Sequence, residues 1–127
     1  MWVANIIPVR KKNGEIRICV DFCNLNQASL KDNYGLPIMD HILHFIFDSE
    51  LMSMLDGFSG YNQLSVAPED QHKISCITPW GTFAYNRMSF GLKNVGATFQ
   101  RVMHHSFADF KNKIIVMYLD DLIVFSK

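Results

Sequence analysis

Apolar residues along this chain fall into short runs and alternations separated by polar turn sequences, and only two stretches carry a helical period. Residues 3–9 and 16–22 are apolar or alternating, and Asn13-Gly14 between them is a strong hairpin signal, so they predict a β-hairpin with a basic tip at Arg10-Lys11-Lys12. Residues 25–36 read as irregular, and Pro37 sits where it can open a helix. Ile38, Ile42, Phe45 and Ile46 then mark one face of an amphipathic helix ending near residues 47–49. Residues 51–55 predict a strand that terminates at Asp56. Ala67-Pro68-Glu69-Asp70 predicts a short helix, with proline at its first position and acidic side chains in its first turn. Residues 74–78 and 82–88 predict strands joined by Pro79-Trp80-Gly81. Phe99, Val102, Met103, Phe107 and Phe110 form the stripe of a helix of about four turns.

Downstream of that helix, the apolar runs 114–117 and 122–125 flank Tyr118-Leu119-Asp120-Asp121. Aspartate is depleted in strand interiors while the flanking residues favour strands, so the pattern predicts a β-hairpin with the Asp pair at its tip. Strands and helices in this order imply an α+β fold, an antiparallel sheet with packed helices.

With 127 residues, 49% of them hydrophobic, the chain can bury one modest core and fits a single domain. Twelve basic residues balance twelve acidic ones, so binding to a polyanion has to come from local patches rather than a global field. Cys19, Cys23 and Cys76 are odd in number and without C-x-x-C pairing, which argues against a disulfide scaffold or a zinc site. The histidines His41, His44, His104 and His105 lack cysteine or carboxylate partners at ligand spacing and read as helix positions. No stretch approaches the roughly 20 apolar residues of a membrane span, and no signal-peptide pattern opens the chain. These features predict a soluble intracellular protein, cytoplasmic or nuclear, not secreted and not in a membrane. Ending directly after an apolar strand, the chain also reads as truncated.

Adjacent carboxylates repel unless a cation neutralises them, and a hard divalent ion with oxygen ligands is the usual solution. An ordinary Asp-containing turn is the bland alternative. If the strand ending in Asp56 neighbours the hairpin in one sheet, three carboxylates meet at one edge. That is the arrangement in-line phosphoryl transfer needs around two divalent ions. The basic hairpin with Arg17 on its returning strand reads either as a phosphate-contacting patch or as a solvated tip.

Tyr118-Leu119-Asp120-Asp121, with Phe90-Gly91-Leu92-Lys93-Asn94, Ala97-Thr98-Phe99-Gln100-Arg101 and Leu55-Asp56-Gly57-Phe58-Ser59-Gly60-Tyr61 upstream, resembles the reverse transcriptases of gypsy-type long-terminal-repeat retrotransposons. The run from Lys11-Lys12-Asn13-Gly14 through Arg17-Ile18-Cys19-Val20-Asp21-Phe22 to Leu25-Asn26 fits the same family in the same order, so the resemblance covers essentially the whole chain. It implies a right-hand polymerase, with fingers at approximately residues 1–30 and 64–94 and palm at 31–63 and 95–127, and with thumb, connection and RNase H absent. It implies RNA-directed DNA polymerase activity with two Mg2+ ions, Mn2+ being a possible substitute. Asp56, Asp120 and Asp121 are implied as metal-binding catalytic carboxylates. Lys12, Arg17, Tyr61, Phe90 and Gly91 are implied as dNTP-binding residues, Tyr61 being the steric gate, and Gln100 is implied near template or primer. Tyr61, Phe90 and Gln100 taken alone also have sound packing explanations. Implied partners are an RNA or DNA template with its primer, dNTP, and the thumb, RNase H and integrase of a polyprotein.

Four positions depart from the family pattern. Cys23 stands where arginine is usual, which removes a cation from the fingers. Gly35, Ser89 and Gly96 stand where proline is usual, at roughly 0.4–1 kcal/mol each where the native backbone suits proline. Without the surfaces that clamp duplex, such a chain is expected to bind primer-template weakly and lose it with salt. A decayed, non-enzymatic retroelement piece acting at most as an interaction domain is the alternative. A palm-like cyclase or nuclease would share the carboxylates but not the basic hairpin and Tyr61 in this register.

Overall fold

The computed structural model describes residues 3–57 and 59–126, so Trp2, Lys127 and Phe58 of the motif around Asp56 lie outside the described residues. The expected α+β class holds. The chain divides into two compact units, one of residues up to Lys31 with Tyr61–Val95, the other of Asp32–Gly60 with residues from Gly96 onward.

In the first unit, strands β1 (Val3–Arg10) and β2 (Ile16–Val20) form the expected antiparallel hairpin. Gly14 adopts φ 88° in its turn, the left-handed backbone that glycine tolerates. Helix α1 (Cys23–Ala28) takes the first four residues of the stretch expected to be irregular, and residues 29–36 are irregular as expected. It starts where Asp21 Oδ1 accepts the Cys23 N–H at 3.0 Å, a local side-chain bond that Asn- and Ser-rich composition masks in the sequence. Further along come a short helix α2 (Pro68–Gln71), begun by its proline, and strands β3 (Ser75–Thr78) and β4 (Gly81–Ala84). The sheet order is β2-β1-β3-β4, and β1 runs parallel to β3, so this sheet is mixed. Strand β4 ends at Ala84, four residues short of expectation, because the chain leaves the sheet to pair elsewhere: Val66 N–H donates to Asn86 O and Met88 N–H to Leu64 O. Val20, Phe22, Ile74 and Cys76 form the buried core here.

In the second unit, helix α3 (Met39–Ile46) follows Pro37 as expected, with Ile42 buried and Ile38 outside the helix and exposed. Strand β5 (Leu51–Asp56) leads to a 3-10 turn at Gly60–Gln63, and helix α4 is Val95–Ser106. Phe107 and Phe110 fall beyond α4 in successive turns, so the helix spans about three turns rather than four. Strands β6 (Ile115–Tyr118) and β7 (Asp121–Ser126) complete an antiparallel sheet of order β5-β7-β6. Ile42, Val116 and Phe125 form its buried core, whereas edge strand β5 leaves Leu51, Met52, Met54 and Leu55 exposed.

Of the glycines described in this unit, Gly60 is the most tightly enclosed. A Cβ there would lie 2.7 Å from Phe99 Cζ and 3.0 Å from Cε2, and the Phe99 ring is buried. Gly60→Ala should therefore lower stability by about 1–3 kcal/mol, read as an earlier urea midpoint at unchanged slope. A midpoint equal to that of the parent chain would show that the ring shifts freely.

Candidate active site

The Asp-bearing hairpin is tighter than its sequence suggested. Tyr118 pairs with Asp121 across β6 and β7, so the loop contains only Leu119 and Asp120, and Asp121 opens strand β7 instead of sharing the tip. Leu119 takes φ 52° and is the only one of the two with a positive value, the pattern of a II′ turn, which normally places glycine there. A non-glycine residue in this region costs on the order of 1–3 kcal/mol and persists only where its surroundings hold it.

Three contacts hold it. Gln100, wholly buried on α4, accepts the Leu119 N–H at 2.7 Å through Oε1 and donates to Met117 O at 3.2 Å through Nε2. Gly57 N–H donates to Asp120 O at 2.9 Å, and a Cβ at position 57 would sit 3.1 Å from that oxygen, so glycine lets the segment after β5 reach the turn. Leu119 Cδ2 lies 3.2 Å from where a Cβ on Gly96 would be, so proline at position 96 would crowd the turn.

The β5–β7 register sets Asp56 directly opposite Asp121. Residues so paired point to one face of the sheet with Cβ atoms about 4.5–5.5 Å apart, and like charges in that position are destabilising. Asp56 and Asp121 are exposed, and Asp120 is half-buried in the turn beside them. The backbone thus brings the three expected carboxylates to one end of one sheet. Among the described residues, no three His, Cys, Asp or Glu side chains converge closely enough to hold a metal ion. The donor chemistry still fits a hard divalent cation, since carboxylate oxygens on facing strands supply what such an ion binds and leave a repulsion for it to relieve.

In the other unit, Arg17, Phe90 and Gly91 line a cavity of about 260 Å³ together with Ile18, Cys19, Val20, Asn62, Tyr85 and Ser89. Arg17 faces Val9 across the basic hairpin, while Lys12 stands exposed at its tip, outside that lining. Tyr61 is buried and meets Phe90 edge-on, with ring centroids 4.9 Å apart. Gly91 adopts φ 91°. Asn26 anchors this loop to α1: Nδ2 donates to Gly91 O at 2.7 Å, and Oδ1 accepts the Lys93 N–H at 2.7 Å. Lys93 Nζ in turn donates to Asn26 O and Ser29 O. The Leu25-Asn26 pair carried the family resemblance, but nothing in it signalled this clamp. At the start of α1, the Asp21 carboxylate holds the Cys23 thiol above the usual thiol range.

Gln100, implied near template or primer, is wholly buried on α4, with its amide committed to the hairpin.

The chain belongs to the family described as "Reverse transcriptase (RNA-dependent DNA polymerase)", whose model matches residues 9–127. It is 34% identical over 98% of its length to the Retrovirus-related Pol polyprotein from transposon 297 of Drosophila melanogaster, of which it spans 12%. It is 33% identical over 91% of its length to the corresponding polyprotein from transposon gypsy of the same fly, spanning 11% of it. An RNA-directed DNA polymerase homolog of Oenothera berteroana is 33% identical over 87% of the chain and 78% of its own length. The resemblance to gypsy-type elements therefore holds. Among solved structures, prototype foamy virus protease-reverse transcriptase superposes with a TM-score of 0.85 at 19% identity, over 98% of this chain and 17% of that one. The foamy viral protein in complex with an RNA/DNA hybrid gives a TM-score of 0.86 at 18% identity, over 98% of this chain and 16% of that one. At such identity the match speaks for the fold. The family generally uses divalent metal ions. Among the described residues, no helix is long and apolar enough to cross a membrane.

Replacing Gln100 with leucine would strip the Leu119 N–H of its acceptor inside the protein. Gln100→Leu is expected to cost about 1–3 kcal/mol and to speed hydrogen exchange at Leu119 well beyond that at Phe125. Equal effects at both amides would contradict the bracing role.

Proposed function

We propose that this chain supplies the fingers and palm of an RNA-directed DNA polymerase that extends a primer 3′-hydroxyl with deoxynucleoside triphosphates. The first unit would be fingers and the second palm. The observation that carries the reading is the register of Asp56 against Asp121 with Asp120 in the adjoining turn, within a chain of the reverse transcriptase family.

Asp56, Asp120 and Asp121 would hold Mg2+, or Mn2+ in its place. Two bound ions would supply the Lewis acid that activates the attacking hydroxyl and stabilises charge on phosphorus. The chain's own residues would do the binding and aiming. Arg17, in the cavity with Phe90 and Gly91, is the guanidinium able to take a triphosphate through charge-assisted, bidentate hydrogen bonds, and Lys12 at the hairpin tip would add a point charge. Tyr61, packed edge-on against Phe90, would set the shape of the sugar pocket and so exclude a ribonucleotide 2′-hydroxyl. The partners would be a primed RNA or DNA template and the thumb, RNase H and integrase of a Pol polyprotein. The structural relatives bound to an RNA/DNA hybrid and to double-stranded DNA support a nucleic-acid partner of this kind.

The test is primer extension by the chain carried within a Pol polyprotein. Asp56→Asn or Asp120→Asn should lower kcat about 100-fold or more, the loss of several kcal/mol of transition-state stabilisation. Arg17→Ala should act mainly by raising KM for dNTP. Unchanged extension by Asp56→Asn would refute the site. A second measurement needs no activity: Mg2+ should raise the melting temperature of the chain, and Asp56→Asn should abolish that rise. In metal-free buffer the same substitution should stabilise by about 0.2–1 kcal/mol, since it removes a like-charge cross-strand pair.

A further inference from the structure

The side chain that holds the hairpin is itself held. Gln100 Nε2 lies 2.8 Å from His104 Nε2, and His104 Nδ1 lies 2.7 Å from Tyr34 Oη. An amide oxygen only accepts hydrogen bonds and an amide nitrogen only donates them. Leu119 N–H and Met117 C=O therefore fix which way the Gln100 amide faces, because the reversed amide would set donor against donor and oxygen against oxygen. With that orientation fixed, Gln100 Nε2 donates to His104 Nε2, which must be the ring nitrogen without a proton. The proton sits on Nδ1 and is donated to Tyr34 Oη.

We infer that His104 is a positioning residue for the Asp-bearing hairpin: as the Nδ1–H tautomer it locks Gln100 in the orientation that carries Leu119, and protonation of Nε2 releases the lock. The catalytic meaning of this lock rests on the polymerase reading, whereas the lock itself does not. A protonated Nε2 would point its hydrogen at the Gln100 amino group. Relief would require Gln100 to turn, which gives up the Leu119 N–H and frees a turn held at a positive φ.

The surroundings favour the neutral ring. Tyr34 faces Nδ1, and the Arg101 guanidinium lies over the Tyr34 ring at 4.8 Å from its centroid. Asp32, the nearby carboxylate on that side, is engaged by Arg101 at 2.6 Å. His41 of α3 and Lys111 beyond α4 line the same cavity of about 260 Å³ as His104, and His105 follows it on α4. Burial first, and the Lys111 charge second, hold the imidazole below its ordinary value of 6.5. The sign follows from that direction: the contribution is fully present above the ordinary imidazole range and is lost as pH falls through the lower value of the folded state.

Nuclear magnetic resonance of the full chain tests this without any turnover. Long-range proton–nitrogen correlations should report the Nδ1–H tautomer for His104, and the Leu119 amide should titrate together with the His104 ring. In His104→Gln an amide oxygen can still accept from Gln100 but cannot titrate, so Leu119 should keep its protection and lose its pH dependence. In His104→Leu exchange at Leu119 should quicken about five- to tenfold over the parent where the His104 ring is neutral, the loss of one net hydrogen bond, and the two should converge as pH falls. An Nε2–H tautomer, or a Leu119 titration that persists in His104→Gln, would overturn the inference. The tautomer is read on the parent chain, so a variant that fails to fold does not shelter the idea. Asp56→Asn should change none of these readouts, so a failure of the polymerase reading and a failure of the lock are separately visible.

Discussion

Two negative charges face each other across neighbouring strands, and much of the second unit is arranged around that fact. The register of β5 on β7 puts Asp56 opposite Asp121, a pairing that costs energy in a protein without a cation between the two. A sheet chosen for stability alone would avoid it. The surrounding chain keeps it in place: the apolar stretches of β6 and β7 pack under α3, and Gly57 lets the strand exit lie against Asp120. Unfavourable electrostatics fixed by favourable packing is what a cation at the proposed site would relieve.

The second strained feature lies two residues before Asp121. Leu119 adopts a backbone that glycine would adopt more cheaply, and the buried Gln100 amide compensates by accepting its N–H. A short turn leaves little slack, so the position of Asp120 depends on that hydrogen bond. His104 and Tyr34 extend the support away from the carboxylates without contributing an atom to them. Separately, in the first unit, the Asn26 clamp does for the loop carrying Phe90 and Gly91 what Gln100 does for the hairpin. In both places one buried or bridging amide serves as donor and acceptor at once, which suits asparagine and glutamine and few other residues.

Much of this was legible in the amino-acid order. The hairpin 114–125, the strand ending at Asp56, the Asn-Gly hairpin and the proline-led helices follow from period, turn residues and punctuation, and the motif order carried the family. What stayed hidden depended partly on partners distant along the chain and partly on local contacts that composition does not show. Strand β4 stopped early because residues 64–66 competed for its continuation, and helix α1 formed from an Asp21 contact that composition obscured. Asp121 moved from tip to strand because a two-residue turn closed one pair sooner than the polar run suggested. Gln100 was recognisable as a motif residue, but only its burial and hydrogen bonds revealed that it braces the hairpin. His104 gave no ligand spacing and no motif, and its part emerged from hydrogen-bond directions alone.

The claim beneath all of this is that the three carboxylates at the end of the β5–β7–β6 sheet share a divalent cation. Paramagnetic broadening by substoichiometric Mn2+, followed residue by residue in the amide spectrum, asks that most directly. The account predicts that signals of residues 55–57 and 119–122 fade first and recover on addition of excess Mg2+. Broadening centred on the histidines of α3 and α4, or no selective broadening at all, would contradict it.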